Sequence, residues 1–130
     1  MKSWYWGHGR LGPYSIVWFD VIAGDGAEYV SSYASLNGSI VASSCSGIKV
    51  RPWGENSQYP PVITSGNPQG FYIELDLESG GVLEVNVKST LVIADVVLYT
   101  RWIGTMSGGT QGSSVVYQGV ALYEEFKVTE

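Results

Sequence analysis

Alternation of apolar and polar positions with a period of two runs through most of the chain and is cleanest near its middle. Over residues 71–77, Phe71, Ile73, Leu75 and Leu77 fall on one face and Tyr72, Glu74 and Asp76 on the other. Residues 82–88 repeat the pattern, with Leu83, Val85 and Val87 opposite Glu84, Asn86 and Lys88. Successive side chains of a strand point to opposite faces, so each run reads as a half-buried strand. Glu78-Ser79-Gly80-Gly81 between them reads as a hairpin turn. Residues 14–22 alternate Tyr14, Ile16, Trp18, Asp20 and Ile22 against Ser15, Val17, Phe19 and Val21. Apolar groups stand on both of these faces, so both are expected to be covered.

Further strands are expected at residues 27–35, 39–44, 48–53, 93–103 and 113–128, with a short edge strand at 62–64 and a bulge or bend at Gly119. Gly24-Asp25-Gly26, Asn37-Gly38 and Ser46-Gly47 supply turns, and residues 54–61, 65–70 and 104–112 read as loops. No stretch carries a convincing 3.6-residue apolar period with caps; residues 122–126 are helix-compatible in isolation, but their neighbours favour a strand. About eight short strands separated by turn signals predict an all-β, antiparallel β-barrel, with a β-sandwich as the alternative.

A length of 130 residues fits one domain. The formal net charge of −5, with basic residues scattered, argues against nucleic acid and anionic membranes as partners. The single cysteine, Cys45, excludes an internal disulfide, and no secretory leader or long apolar segment is apparent, so a cytoplasmic protein without membrane insertion is expected. One His and one Cys cannot build a structural zinc site, the Gly-rich runs lack the setting of a phosphate loop, and neither metal nor cofactor is expected.

The aromatic content changes the picture most. Nine Tyr and five Trp outnumber three Phe, and an apolar ring with a polar tip suits half-wet pockets. Trp18 and Trp102 are either core or the walls of a cavity for a flat apolar ligand. His8 either satisfies backbone groups in a Gly-flanked turn or donates a hydrogen bond in a pocket. Arg10 either pairs with a carboxylate such as Asp20, stacks on a Trp, or contacts ligand. Lys88 sits with Glu74 and Glu84 on a polar face that is either solvated or turned into a barrel lumen, where the lysine would polarise a substrate carbonyl.

The densest stretch is Trp4-Tyr5-Trp6-Gly7-His8-Gly9-Arg10-Leu11-Gly12-Pro13-Tyr14-Ser15-Ile16-Val17-Trp18-Phe19-Asp20. Together with Glu28-Tyr29-Val30-Ser31-Ser32-Tyr33, Arg101-Trp102-Ile103-Gly104 and Gly119-Val120-Ala121-Leu122-Tyr123-Glu124-Glu125-Phe126, it resembles the C-terminal barrel of the fungal decalin-forming Diels–Alderases, which are related to carotenoid hydratases of the hydroxyneurosporene synthase type. The resemblance implies a lipocalin-like barrel that corresponds to the C-terminal half of a two-domain cyclase. It implies an intramolecular [4+2] cycloaddition of a linear polyene with a carbonyl head, by orientation against aromatic walls. Trp18 and Trp102 would be stacking surfaces and Tyr29 a polar contact, with Lys88 added from strand parity as a second polar group. A non-catalytic carrier of a hydrophobic metabolite and a polyene hydratase or isomerase are the alternatives. An N-terminal domain, a partner chain or a second copy is expected to cover an apolar face.

Overall fold

The computed structural model describes residues 2–128. It contains nine strands: β1 (Ser3–Leu11), β2 (Tyr14–Ile22), β3 (Glu28–Leu36), β4 (Ser39–Ser44), β5 (Ile48–Trp53), β6 (Gly70–Asp76), β7 (Val82–Val96), β8 (Tyr99–Thr110) and β9 (Tyr117–Lys127). All pair antiparallel in one sheet, in the order β4-β3-β2-β1-β9-β8-β7-β6-β5. The sheet curls until the end strand β5 packs against β2 and β3. The result is a lipocalin-like all-β barrel, open along the seam between β4 and β5.

The inner face carries the core. Leu11, Ile16, Trp18, Val50, Phe71, Ile73, Leu83, Val85, Trp102, Met106 and Tyr123 are buried there. Trp102 stacks on Tyr123 with ring centroids 5.4 Å apart, and Phe71 meets both rings edge-on. Gly7 makes room for this cluster. It lies between Trp18 on β2 and Tyr123 on β9, and a Cβ at Gly7 would collide with both.

The alternation of residues 71–77 and 82–88 holds in the structure, with every expected inward side chain buried. Several boundaries differ. Residues 3–11 form a strand in the middle of the sheet, so His8 lies within a strand rather than a turn. Residues 93–103 are not one strand: β7 runs on to Val96, the chain turns at Val97 and Leu98, and β8 returns. No glycine or asparagine marks that turn; the pairing of the two long arms imposes it. Residues 104–110 belong to β8 instead of a loop, and residues 63–65 form a 3-10 turn instead of an edge strand. Gly119 keeps regular register with Leu11 and Met106 and is no bulge. Its need for glycine is steric, since a Cβ there would strike the Arg10 carbonyl. The second face of β2 is only partly covered, with Val17 exposed. Among the described residues, no helix is long and apolar enough to cross a membrane.

Candidate functional site

One row of the inner face breaks the apolar pattern. Tyr5 on β1 pairs with Asp20 on β2 and with Glu125 on β9, and Glu125 pairs with Thr100 on β8. These four polar residues are neighbours across four strands, and each is at most 2% exposed. Residues 54–69 reach over this end of the barrel. Lys127 Nζ donates to the Gly66 carbonyl at 3.1 Å, Thr100 Oγ1 donates to Asn67 Oδ1 at 3.0 Å, and the Tyr59 ring lies 6.1 Å from that of Tyr5.

Arg51 enters the row from β5. Its Nη1 donates to Asp20 Oδ2 at 3.3 Å and to Glu28 Oε1 at 2.8 Å, and its Nη2 donates to Glu28 Oε2 at 3.1 Å. The Tyr59 ring covers the guanidinium, with Cζ 3.9 Å from the centroid, a cation–π distance. The planar fork of arginine suits a two-pronged grip on one carboxylate with a further contact to another. Curling of the sheet makes this possible, because it carries β5 against β2 and β3, six and seven positions away in the ladder.

The electrostatics of the two carboxyls diverge. Burial pushes the Asp20 acid well above the usual carboxylate range; the neighbouring Glu28 adds to this, and Arg51 and the Val50 backbone only partly oppose it. Glu28 is held below that range, chiefly by its hydrogen bonds from Arg51. Burial thus favours the neutral acid at Asp20, and Arg51 favours the carboxylate at Glu28. An ionised Asp20 would leave Oδ1 buried without a donor; a protonated Asp20 becomes a donor facing Glu28. Burial also raises Glu125 to about 7, with Lys127 opposing, and its Oε2 has no partner among the described residues. The Tyr5 phenol is pushed up by burial and then by Glu125, so it stays a neutral donor, and its hydroxyl is likewise unpartnered. Titratable groups displaced in opposite directions within one cluster mark a candidate acid–base site.

The residues nominated from sequence divide between the two faces of the sheet. Trp18 and Trp102 are each 1% exposed and packed in the core, although Trp102, with Trp53 and Lys88, also lines an open pocket of about 400 Å³. The faces of Trp18 and Trp102 are taken up by the aromatic cluster around Tyr123. His8, Arg10, Tyr29 and Lys88 stand on the outer face. Tyr29 is 61% exposed. Lys88 is exposed and does not face a lumen, because Leu83, Val85 and Val87 fill the interior beneath its strand. Arg10 does not pair with Asp20, which points through the sheet to the opposite side and to Arg51. The register does place Arg10, Val120, Thr105 and Lys88 in one cross-strand row. His8 and Arg10 border an open groove of about 570 Å³, whose apolar wall is Val17, Ile103, Val120 and Leu122. Grooves of this size accommodate drug-sized ligands.

Sequence reasoning missed Tyr5, Arg51, Tyr59 and Glu125. A signal was present: Asp20 shares a face with Tyr14, Ile16, Trp18 and Ile22, and Glu125 and Lys127 are in phase with Ala121 and Tyr123. Charges on an otherwise apolar face must be paired or neutralised.

Comparison with known proteins adds relatives. Over 129 residues the chain is 42% identical to the quinolone epoxide rearrangement protein penF of Penicillium thymicola, and 40% identical to the quinolone epoxide rearrangement protein asqO of Emericella nidulans. Each alignment covers 98% of this chain and 35% of the relative, so the chain spans about a third of the length of these curated proteins. The fold is similar to that of CghA, in a structure solved with Sch210972, with a TM-score of 0.76 at 11% identity over 98% of this chain and 41% of CghA. It is also similar to kievitone hydratase from Nectria haematococca, with a TM-score of 0.59 at 16% identity over 98% of this chain and 40% of the hydratase. At these identities the likeness to both structures is one of fold. No protein-family model matches.

Proposed function

We propose that the chain takes part in secondary metabolism by rearranging an epoxide borne on an aromatic heterocyclic metabolite, with Asp20 as the acid. The observation that carries this reading is Asp20 itself: a buried carboxyl, pushed above the usual range by burial, beside the Arg51 guanidinium, the Glu28 carboxyl and two tyrosines. The names of the two relatives supply the substrate class. The step balances without a cofactor. Asp20 gives its proton to the oxirane oxygen, and the carbon–oxygen bond breaks towards the carbon that better bears positive charge. A substituent migrates with its electron pair to that carbon, a carbonyl forms, and the hydroxyl proton returns to the Asp20 carboxylate. Tyr5 and Tyr59, both held neutral, stand ready to donate hydrogen bonds to the departing oxygen.

The assay is incubation with a quinolone epoxide, followed by a search for a product of unchanged mass bearing a new carbonyl. Asp20→Asn should lower the rate by about 100-fold or more, the usual range for a lost general acid. Product formation equal to that in buffer would remove the proposal.

A second reading is favoured by the outer groove. A linear polyene folded along Val17, Ile103, Val120 and Leu122, with its carbonyl towards His8 and Arg10, would undergo the [4+2] closure implied by the family resemblance. Here Lys88 and Tyr29 lie on the correct face but outside the groove lining. Decalin formation from a polyenoyl tetramic acid, lost in His8→Ala and kept in Asp20→Asn, would favour this reading over the first. Tight binding without turnover would favour a carrier. On either catalytic reading, the apolar outer face is where a further domain, a partner chain or a second copy would pack.

A further inference from the structure

We infer that the barrel binds a planar aromatic carboxylate in the pocket between the end of β5 and the middle of β7, a site separate from the polar row around Asp20 and from the outer groove. The pocket holds about 400 Å³, within the range that small ligands occupy. Its apolar wall is Trp53, Pro68 and Val92, with the buried Trp102 beneath. Asn67, Gln69, Lys88 and Ser89 form its polar side. Neither Asp20 nor Arg51 lines it, and none of its lining residues borders the groove at His8 and Arg10. The inference needs no proton transfer, so it stands independently of the role of Asp20.

The backbone pre-forms this site. The Gln69 N–H donates to the Trp53 carbonyl at 3.2 Å, and the Ser89 N–H donates to the Gln69 carbonyl at 3.0 Å, which fixes three lining residues side by side. Gly70 pairs with Trp53 on one side and Lys88 on the other. The Trp53 ring lies against it, so closely that a Cβ at Gly70 would stand 2.7 Å from the ring. Consecutive residues of a regular strand point to opposite faces, yet Lys88 and Ser89 border one pocket. They do so at the rim of the barrel, where the β7–β8 register shifts between Ser89 and Leu91.

The polar groups select an anion. Ser89 Oγ shares a 2.6 Å hydrogen bond with the Tyr123 hydroxyl. The Asn67 amide is committed, since its Nδ2 donates to Asp95 Oδ2 at 3.1 Å and its Oδ1 accepts from Thr100. The ion pairs of the described residues leave the Lys88 ammonium unengaged, and among those residues no acidic side chain lines the pocket. A lone cation beside an indole wall, in a chain of net charge −5, suits a ligand that is flat and apolar at one end and anionic at the other. A carboxylate takes one charge-assisted bond from Lys88 and a second from the Gln69 amide, while its ring rests on Trp53. A neutral polyene would leave the ammonium unused, and a phosphate would call for more than one cation.

The test uses the whole chain and naphthoate, a fused two-ring carboxylate, followed by proton–nitrogen correlation NMR at neutral pH. The expected result is saturable shifts at the Trp53 and Trp102 indole N–H groups and at the Gln69 and Ser89 amides, with Val120 and Leu122 in the outer groove unmoved. The neutral amide of naphthoate, alike in shape, should bind roughly tenfold more weakly, the worth of one charge-assisted hydrogen bond. Lys88→Gln should weaken naphthoate by a similar factor and leave the neutral amide unaffected, whereas Lys88→Arg should keep naphthoate binding. Val92→Trp, at a position 47% exposed, fills the pocket and should abolish the shifts while the rest of the spectrum stays that of the folded chain. Shifts confined to Val120 and Leu122, none that saturate by millimolar naphthoate, or full binding in Val92→Trp would overturn the site. Equal affinity for the acid and its amide, or an unchanged affinity in Lys88→Gln, would overturn recognition of the carboxylate by Lys88; both residue 88 variants lie at an exposed position, so they report even if Val92→Trp fails to fold.

Discussion

Replacing Glu125 by Gln tests the buried polar row through its effect on stability. In the folded chain burial raises the Glu125 carboxyl from its ordinary value of 4.5 to about 7. The folded state therefore holds a proton between those pH values that the unfolded state has released. Its contribution to stability is fully present below pH 4.5 and is lost as pH rises through 7. Such a displacement corresponds to about 3 kcal/mol, most of which falls between pH 5 and pH 8. Asp20 is raised as well and adds a loss in the same direction. Glu28 is displaced downward, so its contribution is lost only at acid pH, below this window. The glutamine carries no titrating proton, so the difference between the two proteins isolates Glu125. Urea unfolding at pH 5, 6, 7 and 8 should show the parent losing stability and Glu125→Gln losing about 2–3 kcal/mol less. For a chain of this size that difference is about 9 °C in Tm. Parallel pH profiles, or a parent that gains stability from pH 5 to pH 8, would refute the claim that this end of the barrel holds a neutral acid.

The remaining predictions concern packing and charge. Trp102→Ala removes a ring stacked on Tyr123 and met edge-on by Phe71, and should cost about 3–5 kcal/mol in chemical denaturation. Gly7→Ala drives a methyl into Trp18 and Tyr123 and should cost about 1–3 kcal/mol, partly recovered in a double variant with a smaller residue at Trp18. Arg51→Met leaves Glu28 without its guanidinium and should lower Tm, with Glu28 titrating closer to the ordinary carboxylate range by NMR. Val97→Lys, at a position 74% exposed on the tip of the β7–β8 hairpin, should change stability by less than about 0.5 kcal/mol while reducing aggregation in light scattering.

The lipocalin-like barrel was legible because strand parity is a local property. Leu83, Val85 and Val87 announce an inner face wherever the strand ends up, and each is buried as expected. Boundaries were legible only where a turn residue marks them. The hairpin at Gly80-Gly81 was recovered, while the turn at Val97 and Leu98 was not, because it is imposed by the pairing of two long arms. Nomination of candidate site residues favoured rare or bulky types, and it drew together groups from opposite sides of the sheet. His8, Arg10, Tyr29 and Lys88 share the outer surface, whereas Trp18 and Trp102 lie within the core.

By itself, the sequence determined which residues of each strand are neighbours on a face, since that follows from a period of two along a single strand. Only the tertiary structure decided which strands lie side by side and in what register. Register sets Tyr5 between Asp20 and Glu125, residues that are 15 and 120 positions away in the chain. Curling of the sheet then brings Arg51 to Asp20 and Glu28. A carboxyl becomes a neutral acid through burial and through the charges around it, and both are properties of neighbours that only the closed barrel supplies.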